Sequence, residues 1–348
     1  MRIAIVSTPF VSIPPKKYGG TELFVYNLAT QLISKGHEVF LFATGDSYVK
    51  GATVGYRFEK PVWPPSEAAE KLHMEGAVAW LHDLKSSGVE IEVVHWNSPL
   101  GASFSKKVQT PAILTWHDRT RPELSALYSE NKNINYVAIS QRQKDLEIPL
   151  PKVSVIHHGI DPIKIFSDVE VNKNLVGFLG RMAPEKGPDT AIRVTRAAGY
   201  RLALAGPVHN KDSDFFMENV RPLLGPDVYL VGEIGGETKF RFLQSISAFV
   251  MPIRWEEPFG LVMIEALFCG TPVVAFRQGS APEIVENGVT GFIVDTEEQM
   301  KDALHKSKTL DREKVRESAI QKFSSEIMTN KYISLYKNVL NTGNFFLS

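Results

Sequence analysis

The sequence predicts an α/β protein of two doubly wound domains, each a mainly parallel sheet with helices on both faces. Short β-rich runs alternate with helical stretches along the whole chain, the order that builds parallel sheets through crossover helices. The strand candidates are near-continuous apolar runs such as Ile3-Ala4-Ile5-Val6, as expected of strands buried on both faces. The alternation also restarts once, after Gly159-Ile160-Asp161-Pro162. At 348 residues the chain is longer than one hydrophobic core usually serves, so the restart reads as a second domain.

In the first domain, residues 1–158, strands are expected at 2–7, 38–43, 91–95, 111–116, 134–139 and 153–157. Residues 21–35 read as a helix, with Leu23, Phe24, Asn27, Leu28, Gln31 and Leu32 around its faces and Gly36 at the C-terminal cap. In the second domain, residues 159–325, strands are expected at 175–180, 201–205, 227–231, 248–252, 272–276 and 292–294. They alternate with helices near 185–198, 214–224, 237–246, 259–269 and 297–308. Pro and Asp punctuation puts the boundary at about 158–168. A last helix over 326–341 carries Ile327, Tyr332, Leu335, Tyr336, Val339 and Leu340, which need a surface to bury against; the first domain is expected to supply it. Two such domains facing each other bind ligands in the crevice beyond the carboxyl ends of their strands.

Composition narrows the function classes. Hydrophobic residues make up 43% and charged residues 22%, the balance of a folded globular chain. Lys plus Arg and Asp plus Glu both number 39, and residues 1–150 and the remainder are each balanced to within one charge. That lacks the basic footprint of a nucleic-acid binder and gives no broad attraction to an anionic membrane, leaving at most peripheral contact. The single cysteine, Cys269, sits in an apolar helical stretch and reads as a buried thiol in a reducing, cytoplasmic setting. Apolar residues 3–6 after Met1-Arg2 resemble a leader, but Pro9, Pro14 and Pro15 interrupt it and no small-residue cleavage site follows. No uncharged run approaches the roughly 20 residues that span a bilayer.

The most informative segment is Glu256-Glu257-Pro258-Phe259-Gly260-Leu261-Val262-Met263-Ile264-Glu265. A strand ends near Pro252 and a loop leads into a helix expected to start at Pro258 or Phe259, since Pro suits a helix's first turn. Unpaired N–H groups near Phe259, Gly260 and Leu261 would then form an anion site suited to a diphosphate, with Gly260 keeping side-chain bulk away from the ligand. Were the span all helical, Glu257 and Glu265 would stand roughly 12 Å apart. Glu265 lies among Val262, Met263, Ile264, Ala266, Leu267 and Phe268, and a carboxylate there needs a partner. A second segment, Gly180-Arg181-Met182-Ala183-Pro184-Glu185-Lys186-Gly187, follows a strand and opens a helix. It supplies two cations for phosphate oxygens, Arg181 as a fork and Lys186 as a point charge.

Glu257-Pro258-Phe259-Gly260 followed by Glu265 resembles the Glu, seven residues, Glu pattern of retaining glycosyltransferases of family 4, which have the GT-B architecture of two facing Rossmann-like domains with a donor/acceptor cleft between them. The resemblance runs over nearly the whole chain. It includes Tyr18-Gly19-Gly20-Thr21-Glu22, Thr115-Trp116-His117-Asp118, Gly180-Arg181 with Lys186-Gly187, and Ala281-Pro282-Glu283-Ile284-Val285 to Gly291-Phe292. It departs at His157-His158 before Gly159, where the family often carries Asn.

The resemblance implies transfer of a hexose from a nucleotide diphosphate sugar to a hydroxyl of a glycan, glycolipid or small molecule, with retention of configuration. UDP-glucose is the first candidate, before UDP-galactose, UDP-GlcNAc and GDP-mannose. It makes Glu257 and His117 the catalytic pair, with His117 positioning the donor sugar and stabilising developing charge. Arg181, Lys186, Gly19, Gly20, Phe259, Gly260 and Leu261 would bind the diphosphate, Glu265 the ribose and the loop at Ile234 the base. Lys16, Lys17 and Tyr18 are acceptor-side candidates. No cofactor or metal is expected, because two cations and a helix start can take the place of a metal. Asp212-Ser213-Asp214 matches a metal motif of the other large glycosyltransferase fold but reads as a helix cap. A glycosidase would also carry paired carboxylates but needs no diphosphate apparatus, and a non-catalytic sugar-nucleotide sensor is the remaining alternative. Without a Gly-x-Gly-x-x-Gly after the first strand, where residues 7–12 read Ser-Thr-Pro-Phe-Val-Ser, a nicotinamide enzyme is disfavoured. Neither the acceptor nor the oligomeric state is legible.

Overall fold

The computed structural model describes residues 1–16 and 19–344, with side chains to 341. The chain divides into two compact units.

The first unit comprises residues up to Asp161 together with the C-terminal helix. Its strands are β1 (Arg2–Val6), β2 (Glu38–Ala43), β3 (Thr53–Tyr56), β4 (Val93–Trp96), β5 (Ala112–Thr115), β6 (Asn135–Ala138) and β7 (Val153–Val155). They form one parallel sheet in the order β3-β2-β1-β4-β5-β6-β7, with Ile3 opposite both Val39 and Val93. The sheet is the doubly wound arrangement the apolar runs predict, and it places every strand's carboxyl end on one edge. Helices α1 (Gly20–Ser34), α2 (Glu67–Ser86), α3 (Gly101–Phe104), α4 (Pro122–Ser129) and α5 (Gln141–Leu146) connect the strands.

β3 and α2–α5 are additions to the sequence reading. β3 is a four-residue edge strand whose Thr53 and Tyr56 are exposed, so it shows no apolar run. α2 buries only a stripe, Ala69, His73, Met74, Ala77, Val78 and Leu81, and starts at Ser66, whose hydroxyl accepts from Ala69 N–H.

The C-terminal helix, Ser325–Asn344, completes this unit's core. Met328, Tyr332, Tyr336 and Val339 join Phe24, Leu28 and Leu32 of α1 against the sheet. A buried polar chain ties it down: His95 Nδ1 pairs with Tyr336 Oη at 2.8 Å and His95 Nε2 with Thr115 Oγ1 at 2.7 Å. Thr115 Oγ1 in turn pairs with Tyr332 Oη at 2.9 Å. His95, Thr115, Tyr332 and Tyr336 therefore partner one another, which offsets the cost of carrying their polar groups into a core.

The second unit spans Pro162–Ser324. Its strands are β8 (Asn172–Leu179), β9 (Arg201–Ala205), β10 (Val228–Gly232), β11 (Ile246–Met251), β12 (Val273–Phe276) and β13 (Gly291–Val294). They lie in the order β10-β9-β8-β11-β12-β13, parallel throughout. Its helices are α6 (Pro188–Ala197), α7 (Ser213–Phe215), α8 (Gly236–Ser245), α9 (Leu261–Phe268), α10 (Ala281–Ile284), α11 (Glu297–Ser307) and α12 (Arg312–Phe323).

One expected element differs, and α10 and α12 are additions. The stretch 214–224 is not one regular helix: α7 passes into a π turn over Phe216–Val220 and a 3-10 turn over Arg221–Leu223, where Pro222 removes a backbone donor. α12, capped by the Asp311 carboxylate, is new to the sequence reading, because its face toward solvent is so highly charged. Among the described residues no helix is long and apolar enough to cross a membrane.

Candidate functional site

In the second unit the motif residues gather at the carboxyl ends of β8 and β11. β11 ends at Met251 and α9 begins only at Leu261, so the helix starts later than the expected Pro258 or Phe259. Gly260 is the reason. It is the N-cap, in the left-handed conformation at φ 82° and ψ 62°, which ends the loop before the helix can take in Pro258. The premise of a continuous helix between Glu257 and Glu265 therefore fails. Gly260 is also tightly packed: a Cβ there would lie 2.6 Å from Met263 Cε and 3.3 Å from Glu257 Cγ. The glycine meets backbone geometry and packing under the Glu257 side chain. Phe259 is buried, its ring 6.2 Å from that of Phe323, and its N–H precedes the helix. The first-turn N–H groups left without an acceptor in the helix are those of Leu261 and Val262, because Met263 N–H already donates to Gly260 O at 2.9 Å.

Glu257 is held from several sides. Lys186 Nζ makes an ion pair with Oε2, and Trp255 Nε1 donates to the same oxygen at 2.9 Å. The Lys186 ammonium also lies 4.5 Å from the Trp255 ring centroid, a cation–π contact that fixes the lysine between indole and carboxylate. Ser280 N–H donates to the Glu257 carbonyl at 3.0 Å. Gly279, at φ 56°, comes so close that a Cβ would lie 2.4 Å from Glu257 N. Trp255, Gly279 and Ser280 are site residues the sequence reading missed. The indole two residues before Glu257 was a usable signal; the loop after β12 was not.

Arg181 forks between two carboxylates, donating to Asp212 Oδ2 at 2.6 Å and pairing with Glu185. Asp212 is buried and makes no side-chain cap bond. Its expected role as a helix cap is thereby corrected: it orients the guanidinium. Among the described residues no cluster of three or more His, Cys, Asp or Glu could hold a metal ion.

Glu265, on the second turn of α9, is buried and takes its partner from α8: Lys239 Nζ donates to Oε1 at 2.5 Å. A partner was expected on desolvation grounds; Lys239 was not identifiable from sequence. Cys269, one turn further on, is a buried free thiol, pushed up to about 12 by burial first and then by the Glu265 charge. Ile234 lies half-buried in the loop between β10 and α8.

The first unit holds the remaining candidates. Gly19 caps α1 and Gly20 is its first residue. A Cβ on Gly19 would lie 2.9 Å from Pro15 Cβ and 3.0 Å from Glu22 Oε2, so the loop folds tightly on itself. Glu22 is buried beside it, accepting from Thr8 Oγ1 at 2.8 Å, and burial raises its pKa. Lys16 is exposed and 3.9 Å from Asp46; Lys17 and Tyr18 lie outside the described residues.

His117 follows β5. Its Nε2 faces Asn97 Oδ1 at 3.0 Å, while Asn97 Nδ2 donates to Val6 O at 3.3 Å. That orientation of Asn97 makes Nε2 the protonated nitrogen, an assignment from the network. Nδ1 is buried without a hydrogen-bond partner among the described residues. The ring stacks on His158 at 5.3 Å and 15° and packs 4.9 Å from Phe24. Burial pushes its pKa down to about 3, so His117 is neutral at physiological pH and has no charge to lend.

Residues 161–323 match the family model for group 1 glycosyl transferases, and residues 18–164 match that for glycosyltransferase family 4. An uncharacterized glycosyltransferase of Methanocaldococcus jannaschii is 26% identical over 342 residues, covering 84% of this chain and 85% of its own. AviGT4, a glycosyltransferase involved in avilamycin A biosynthesis, has a TM-score of 0.74 at 27% identity over 98% of each chain. HepE of Anabaena, solved in complex with UDP-glucose, has a TM-score of 0.74 at 20% identity over 97% of this chain and 100% of its own, a likeness of fold. With both halves matched in order and the motif residues assembled at the strand ends, the chain belongs to the family 4 glycosyltransferases of GT-B fold.

Proposed function

We propose that the chain is a metal-independent, retaining hexosyltransferase using a nucleoside diphosphate sugar, with UDP-glucose as the first donor to test. The observation that carries this reading is the assembly around Glu257: a lysine and an indole N–H converge on one carboxylate, three residues before the N-cap of α9. Such an assembly can exchange partners when a diphosphate arrives. Lys186 and Arg181 then neutralise the phosphates, aided by the first-turn N–H groups of α9. Glu257 turns to the sugar hydroxyls and to the positive charge that develops at the anomeric carbon. Glu265 accepts from ribose, and the loop at Ile234 borders the base. His117, as a neutral ring, positions the sugar. Diphosphate departure and acceptor attack occur on one face of the sugar, and a leaving phosphate oxygen takes the acceptor proton. UDP bound to the HepE fold relative supports a uridine donor, and the single, buried free cysteine fits a reducing, cytoplasmic setting.

The test is nucleoside diphosphate release from a panel of UDP- and GDP-sugars in EDTA, comparing Glu257→Gln with Glu265→Gln. Glu257→Gln should lower kcat and blur sugar selectivity while free UDP still binds. Glu265→Gln should weaken UDP itself. Turnover abolished by EDTA and restored by Mn²⁺ refutes metal independence, and the opposite pattern in the two variants reverses the donor's direction along α9.

A further inference from the structure

We propose that Lys239 is a positioning residue that sets discrimination for the ribose of the donor, acting through Glu265. The inference rests on the ribose role proposed for Glu265.

Glu265 is buried in α9 between apolar neighbours, and its two oxygens differ. Oε1 is taken by Lys239 Nζ at 2.5 Å, while Oε2 has no hydrogen-bond partner among the described residues. One oxygen is thus anchored and the other is left as an acceptor with a fixed direction. The anchor comes from a different helix: α8 packs against α9, and Lys239 lies one turn into it, its N–H donating to Gly235 O at 3.3 Å. The loop leading into α8 carries Ile234. Lys239 therefore couples the loop assigned to the base with the carboxylate assigned to the ribose.

The lysine side chain has little freedom. Its ammonium lies 4.9 Å from the Phe240 ring centroid, and its exposure is 20% against 7% for Glu265. An ion pair so far from water gains little over apolar residues of the same volume, so packing alone gives no reason for a lysine here. Orientation does, because a carboxylate with one oxygen pinned presents the other at a defined angle to a pair of vicinal hydroxyls. Without the lysine, the carboxyl group can rotate, and its buried charge has no counter-ion.

The experiment measures binding of UDP and of 2′,3′-dideoxy-UDP, with GDP in parallel, to the wild type, Lys239→Met and Lys239→Arg. The wild type should prefer UDP over the dideoxy analogue by about 10-fold or more, the scale of a hydrogen bond to a charged acceptor. In Lys239→Met the preference should shrink to roughly 3-fold or less, UDP weakening while the dideoxy analogue changes little. Lys239→Arg should restore most of it. Melting curves check folding; if Lys239→Met does not fold, Lys239→Met/Glu265→Gln, which removes both charges, should bind both ligands alike. A preference left intact in Lys239→Met, or equal weakening of both ligands, overturns the inference. If the wild type binds UDP but does not prefer it, the ribose role of Glu265 fails and the inference with it. If it binds neither UDP nor GDP, the donor reading itself fails.

Discussion

Arg181→Ala should have two consequences that a second substitution can separate. In the fold, the guanidinium is held by Asp212 and Glu185, whose side chains are 8% and 31% exposed. The loss therefore falls mainly on Asp212, left in a mostly buried position without its cation. Breaking a fully buried pair costs about 3–5 kcal/mol; with Arg181 itself 24% exposed, solvent screening reduces this to about 1–3 kcal/mol. A domain of this size loses roughly 2–4 °C of Tm per kcal/mol, so the second unit's transition should fall by about 2–12 °C. In binding, the same substitution removes a charge-assisted contact to the diphosphate, about 10–150-fold in donor affinity. Arg181→Ala/Asp212→Asn removes the orphaned charge as well. Its melting transition should return most of the way, while UDP affinity by titration calorimetry stays low. Recovery of UDP affinity together with Tm would mean that Arg181 acts only through the fold, and would remove it from the diphosphate site.

Two further outcomes are expected. Gly279→Ala places a Cβ against the Glu257 backbone at a residue with φ 56°, where neither partner can yield cheaply; displacing Glu257 by even about 1 Å should lower kcat about 10²-fold with UDP affinity nearly unchanged. Unchanged kcat would show that this loop does not place a catalytic carboxylate. On acidification the first unit should weaken before the second. Burial lowers the pKa of His73 to about 4 and of His95 to about 3, and puts His158 well below its ordinary value. The unfolded chain takes up these protons near pH 6.5 while the fold refuses them, so stability is complete above pH 6.5 and declines as pH falls toward the folded values, by about 2 kcal/mol per histidine at pH 5. In the second unit, burial alone would raise Asp189, but hydrogen bonds from Arg254 and Arg193 outweigh it and hold its pKa below 3.8. That contribution persists above pH 3.8 and is lost only as pH falls through the lower folded value. Segment-resolved hydrogen exchange at pH 7 and pH 5 should show earlier opening in β1, β4 and α2; equal protection at both values would refute the assignment of neutral buried histidines.

Much of the fold was legible because its elements are buried on both faces. Apolar runs such as 3–6 and 248–251 have no other stable place than the middle of a parallel sheet, and both form central strands. β3 escaped because an edge strand with two exposed residues carries no such run, and α2 because only six of its 20 residues are buried, so its apolar and polar residues are mixed along the sequence. The start of α9 was misread for a local reason: Pro258 invites a helix, but left-handed Gly260 postpones it.

By itself the sequence determined the order of every described strand but β3, the two-unit plan and the family, since these follow from periodicity and from motifs a few residues long. It also determined that Glu265 needs a counter-charge, because a carboxylate in an apolar helix always does. Only the tertiary structure decided which charges meet. Lys186 and Glu257 are 71 residues apart, Arg181 and Asp212 31, and Lys239 and Glu265 26. Each pair is made by loops or helices that strand order brings to the same sheet edge. Charged side chains are numerous and alike along a chain, and desolvation and distance select among them only after the sheet has formed.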